Sequence, residues 1–204
     1  MVLILPEMFE FAAPPRTGVH WFVKACTEAG LKTLFLNPGA NNIHLVTTSF
    51  TSWCGQRQVE KNTLRISLVR HPCDWLRSVF DAWQSKQDTL IREYMGYCCF
   101  HYRGFARPPD SDFNKFVTRH LKNSSGEISR IFDSYRADIR LRLEDMPWAL
   151  VELLESLGIE QKNLDQIVDL LPQSKTSSCS TWQSDLRQQV LESEADFCRD
   201  LDYY

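Results

Sequence analysis

The chain has 204 residues, enough for one domain with a proper core and cramped for two full ones. Hydrophobic residues make up 43% and charged residues 24%, an ordinary globular balance, and the formal net charge of −3 argues against wholesale binding to nucleic acid or membrane. Any basic site must be local, within a single domain expected to span residues 1–204.

The first residues, MVLILPEMFEF, hold a short apolar run with no basic segment before it, and Glu7 and Glu10 follow almost at once. That is not the pattern of a signal peptide or an anchor, and no later stretch approaches the ~20 apolar residues of a membrane span. The expectation is a cytoplasmic protein with no membrane partner. Cysteines stand at positions 26, 54, 73, 98, 99, 179 and 198, an odd number without zinc-ligand spacing. They read as reduced thiols filling the core, with no metal expected; Cys98-Cys99 is the pair that a metal or redox role would use.

Residues 9–13 (FEFAA) form a short extended run that stops at Pro14-Pro15. Val19 to Ala29 then carries Phe22, Ala25, Cys26 and Ala29 at helical spacing, with Gly30 as its stop. Leu31 to Leu36 reads as a second strand, followed by a turn-rich loop, Asn37 to Asn42. Leu64 to Val69 (LRISLV) is the clearest buried strand. It runs through Arg70-His71-Pro72 into a helix on which Trp75, Val79, Ala82 and Trp83 share a face.

From about 84 to 112 the chain is polar, aromatic and irregular, as in a lid or an acceptor-binding insertion. Helices are expected at 113–121, 128–135, 147–157 and 184–204, and a further strand at 139–143. Strands alternating with helices predict an α/β domain: a central, mostly parallel sheet flanked by helices, with ligands at the carboxyl ends of the strands.

Two segments fall at such ends. In Pro15-Arg16-Thr17-Gly18-Val19-His20-Trp21, a loop feeds a helix N-terminus, whose backbone N–H groups and dipole suit a phosphate or sulfate. Gly18 permits close approach, Thr17 offers a hydroxyl and Arg16 a fixed charge; a plain strand-to-helix turn is the competing explanation. The pattern GxxxxGK[ST] is absent, which disfavours an ordinary P-loop NTPase. In the second segment, Arg70 ends a buried strand and Ser78 lies nearly two turns into the next helix. Together they offer one phosphate a guanidinium fork and a hydroxyl. Taken singly, an ion pair would account for Arg70 and a solvated helix position for Ser78.

Taken together, these segments resemble the two cofactor signatures of the sulfotransferase superfamily, which uses 3'-phosphoadenosine 5'-phosphosulfate. One reads roughly Pro-Lys/Arg-Ser/Thr-Gly-Thr-Thr-Trp, the other Val-Arg-Asp/His-Pro…Ser. Leu143-Glu144-Asp145-Met146 is similar to the Tyr-Glu-Asp-Leu segment of that family. The resemblance implies a P-loop-like fold and transfer of a sulfuryl group to a small-molecule, carbohydrate or peptide acceptor, with no nucleic acid involved. It implies Arg16 at the bridging oxygen of the leaving nucleotide, and Thr17, Gly18, Val19 and His20 around the 5'-phosphate. Trp21 would lie against the adenine, and Arg70 and Ser78 on the 3'-phosphate with Lys175 as a further contact. Departures are Val19-His20 in place of Thr-Thr, and the lack of a glycine-rich loop around Lys175 and Trp182.

The family's base is a His or a Glu. His44, which follows the second strand and its turn, is the first candidate, then His20, then Glu60. His71 is expected to start its helix, and His101 and His120 to lie on the surface. Tyr94, Tyr97, Phe100, Tyr102 and Phe105 would either line an acceptor pocket or pack a lid, with Arg92, Arg103 and Arg107 nearby. Two other readings compete. One is a nucleotide- or partner-binding protein of the same fold without turnover. The other is a histidine phosphatase, because LVRHP resembles LVRHG.

Overall fold

The computed structural model describes residues 2–5, 9–14, 16–31, 34–35, 64–84, 112–170, 172 and 181–204. It is an α/β structure with a five-stranded sheet: β1 (Val2–Leu5), β2 (Phe9–Ala12), β3 (Leu34–Phe35), β4 (Leu64–Val69) and β5 (Ile139–Arg142), in the order β3-β1-β2-β4-β5. Strands β2, β4 and β5 are parallel, with Phe11 beside Ile66 and Ile66 beside Ile139. β1 runs against both of its neighbours, β2 and β3.

Strand alternation divides the core between two faces. Ile66 and Leu68 of β4 join Phe9 and Phe11 of β2 on one face. There they pack against α1 (Val19–Glu28). Phe22 of that helix stacks on Phe11 with ring centroids 3.9 Å apart. Helices α5 (Trp148–Ser156) and α6 (Gln161–Val168) complete this layer with Leu150, Leu154, Leu164 and Ile167.

The other core cluster gathers Val69 with α2 (Pro72–Gln84), α3 (Phe113–Ser124) and α4 (Glu127–Asp133). It also takes in α7 (Ser184–Ser193) and α8 (Ala195–Asp200). Trp75 and Val79 are fully enclosed, as the face of α2 predicts. At the start of α3, Asp112 accepts the Lys115 N–H at 2.9 Å, an N-cap of the usual kind. The Asn114 amide holds the entry to α7, donating to the Thr181 carbonyl and accepting from Gln183 N, both at 3.1 Å.

Several expectations are corrected. β1 forms from the short apolar run, which was not among the expected strands. The strand expected at 31–36 is described at Leu34–Phe35, on the sheet edge, with β1 between it and β2. α6 was not foreseen, because Leu164 and Ile167 give only a short stripe in a polar segment. The expected helix 184–204 is broken at Glu194, a buried residue whose carboxylate leaves its own helix to accept N–H bonds from Ile128 and Ser129 at the start of α4. His120 is buried rather than on the surface.

Among the described residues, Cys26, Cys73 and Cys198 are buried free thiols. Burial pushes Cys26 and Cys73 up to about 12 and Cys198 up to about 11. No described helix is long and apolar enough to cross a membrane.

Candidate functional site

The three parallel strands deliver their carboxyl ends to one edge of the sheet: β2 into the loop before α1, β4 into Arg70, and β5 into the 3-10 turn Leu143–Asp145. The loop before α1 is set by two left-handed residues, Arg16 at φ 67° and Gly18 at φ 86°. A Cβ at Gly18 would also meet the Cδ1 of Leu143, a side-chain end that would have to turn aside. That contact lays the loop directly on the end of β5. Between them Thr17 is fully enclosed, its hydroxyl donating to the Pro14 carbonyl at 2.6 Å. Gly18 caps α1 without a side-chain bond.

Left-handed backbone at an arginine costs of the order of 1 kcal/mol and needs support from its surroundings. Arg70 and Ser78 supply it. The Arg70 guanidinium donates to the Arg16 carbonyl at 3.1 Å, and Arg16 Nε donates to Ser78 Oγ at 3.1 Å. The two segments singled out in the sequence thus meet through these two bonds, with Arg16 two residues before Gly18, the N-cap of α1. Ser78 is buried rather than solvated, and its described hydrogen bond is to Arg16. Arg70 donates to that carbonyl through one guanidinium nitrogen; burial lowers its pKa, opposed by the nearby carboxylates of Asp74 and Glu144.

The remaining loop residues divide by the face of α1. Val19 is buried in the core and His20 is exposed. Trp21 donates its indole N–H to the Leu170 carbonyl at 2.7 Å, fastening the end of α6 to the helix after the loop. His71 stands before α2, as expected: its carbonyl accepts the Trp75 N–H at 2.9 Å and its Nδ1 accepts the Cys73 N–H at 3.2 Å. Burial lowers its pKa, opposed by the nearby carboxylate of Asp74.

His44, Glu60, His101, Lys175, the aromatic cluster from Tyr94 to Phe105 and the arginines at 92, 103 and 107 lie outside the described residues. Sequence reasoning missed Leu143 as the wall behind Gly18, Leu170 as the partner of Trp21, and Tyr203. None of the three carries a local signal, because each acts through a contact remote in sequence. Among the described residues no group of three or more His, Cys, Asp or Glu side chains is placed to hold a metal ion. Compared with protein-family models, curated proteins and solved structures, the chain gives no significant match.

Proposed function

We propose that the chain is a sulfotransferase that moves the sulfuryl group of 3'-phosphoadenosine 5'-phosphosulfate to a hydroxyl or amine acceptor. The observation that carries this reading is the meeting of Arg16, Arg70 and Ser78 at the carboxyl edge of the sheet, beside the N-terminus of α1. Two cations, a hydroxyl and the N-terminus of a helix suit a ligand with separated anionic groups. A donor with phosphates at both its 5' and 3' positions has that character.

In-line transfer breaks the bond between sulfur and the bridging oxygen of the donor and forms one from sulfur to the acceptor. The charge left on the bridging oxygen is met by Arg16, and the amides at the start of α1 hold the 5'-phosphate. Arg70 and Ser78 take the 3'-phosphate, and the acceptor's proton passes to His44, His20 or Glu60. His20, at the exposed start of α1, is the one of these three that lies within the described residues.

Calorimetry with 3'-phosphoadenosine 5'-phosphate and with adenosine 5'-phosphate tests the reading. The first binds much more tightly, because Arg70 and Ser78 serve only the 3'-phosphate; equal affinities would remove its basis.

A second reading, nucleotide binding without turnover, draws on the loop itself. The Thr17 hydroxyl is spent on Pro14, and Val19 brings a buried methyl pair where a hydroxyl is expected. Labelled donor with a panel of acceptors separates the two. The phosphatase reading loses ground to the His71 ring: a neutral imidazole accepting at Nδ1 carries its proton on Nε2, so no lone pair is left there to attack a phosphorus.

A further inference from the structure

Glu144 belongs to the 3-10 turn after β5, and its carboxylate spans two partners that are far apart in the chain. Oε1 accepts the backbone N–H of His71 at 2.9 Å, and Oε2 accepts the Tyr203 hydroxyl at 3.0 Å. The Tyr203 ring meets the His71 ring edge-on with centroids 5.2 Å apart, packs on the Phe197 ring at 6.2 Å, and lies under the Arg142 guanidinium, 5.5 Å from the ring centre. Arg142 is itself held by a fork to Asp145, with contacts of 2.6 and 2.8 Å. Its Nη1 donates to the carbonyls of Leu201 and Asp202 at 2.8 and 2.9 Å. Residues 201–203 are therefore docked against Arg142 and the 3-10 turn after β5, and the Tyr203 ring alone reaches His71, one residue from Arg70.

We infer that Glu144 is a positioning residue: it holds the Arg70-His71 turn through the His71 amide, and it ties the order of that turn to the docking of residues 201–203 through Tyr203. The contact network stands on geometry alone, whereas its consequence for ligand binding rests on the donor reading above. The physical reason for a functional effect is alignment. Arg70 must reach both the Arg16 carbonyl and a phosphate, and a small displacement of its backbone weakens a forked, charge-assisted contact more than a diffuse one. Glu144 touches no ligand in this scheme and acts only through His71.

The test uses the full chain with three variants, Glu144→Ala, Glu144→Gln and Tyr203→Phe. Affinities for 3'-phosphoadenosine 5'-phosphate and adenosine 5'-phosphate are measured by calorimetry, and exchange at the His71 amide by NMR. Glu144→Ala is expected to shrink the ratio of the two affinities on the order of tenfold while leaving the monophosphate unchanged. Glu144→Gln should restore most of the ratio, because an amide oxygen still accepts the His71 N–H. Tyr203→Phe, which keeps the ring and loses one bond, should speed exchange at His71.

A wild-type ratio that survives intact in Glu144→Ala overturns this inference and leaves the donor reading standing. Equal losses for both nucleotides together with a lower melting temperature reduce Glu144 to a structural residue and overturn it too. A wild-type protein that binds both nucleotides equally overturns the donor reading and the positioning role with it. Unchanged His71 exchange in Tyr203→Phe disproves the link to residues 201–203. Should Glu144→Ala fail to fold, the affinity ratio is read in Tyr203→Phe, where faster exchange at His71 with an undiminished ratio overturns the positioning role.

Discussion

Arg16 Nε donates to Ser78 Oγ at 3.1 Å, joining side chains 62 positions apart in sequence. The direction of the bond matters. As an acceptor toward Arg16, the Ser78 hydroxyl keeps its own proton for donation, which is what a phosphate oxygen requires. One contact therefore orients two of the groups assigned to the donor.

Arg16 is expected to act mainly on the rate. Arg16→Ala should lower turnover by about 10²–10³ with a much smaller change in donor affinity, since the charge it meets develops in the transition state. Arg16→Lys should keep part of the activity. Steady-state kinetics read against calorimetry give the split, and full activity in the Ala variant would assign the work to another cation.

Arg70→Ala should weaken binding of 3'-phosphoadenosine 5'-phosphate by roughly 2–4 kcal/mol and leave adenosine 5'-phosphate nearly unaffected. The variant also frees the Arg16 carbonyl, so a stability loss of ~1 kcal/mol should accompany it. A large drop in stability with unchanged affinity would make Arg70 a purely structural residue.

Gly18→Ala faces two penalties at once, a left-handed backbone at φ 86° and the collision with Leu143. A stability loss of ~1–3 kcal/mol is expected in chemical denaturation, together with loss of nucleotide binding. Adding Leu143→Ala removes the collision and leaves the backbone cost. If the double variant regains nothing, the close approach is not what demands glycine there.

His120 gives a pH dependence of folding. Burial pushes it down to about 4 from the ordinary 6.5, so the native state binds fewer protons than the unfolded chain between those values. Its contribution is fully present above pH 6.5 and is lost as the pH falls toward 4, up to roughly 3 kcal/mol. Melting temperatures from pH 7 to 4.5 should fall less steeply in His120→Leu than in the parent; parallel curves would place the acid sensitivity elsewhere.

His44→Asn should keep nucleotide affinity and cost on the order of 10²–10⁴ in turnover. Normal turnover in that variant, with loss in His20→Asn, would move the base to the exposed first turn of α1.

The parts of the fold legible in the sequence are those with local causes. LRISLV announces β4 by its unbroken apolar run, Phe22 and Cys26 announce the buried stripe of α1, and Gly30 and Gly158 mark helix ends where φ is 73° and 83°. Partnerships across the chain were not legible. The edge position of β3 depends on β1 pairing from both sides, and the break at Glu194 depends on amides of α4 more than sixty residues earlier. At the candidate site, Arg16, Gly18, Arg70 and Ser78 were singled out by their spacing and residue types, and the structure brings Arg16, Arg70 and Ser78 into contact. Glu144 was noticed within its segment, but its tie to Tyr203 is a tertiary contact that no local pattern encodes.

The hydrogen bond from Trp21 to the Leu170 carbonyl has its counterpart at Asn114, which secures Thr181 and Gln183. Residues 170 and 181 are thereby held to two different helices, the first to α1 and the second to α3. The separation of these two points is set by how the helices pack on the sheet, and losing either bond should cost ~1 kcal/mol of stability.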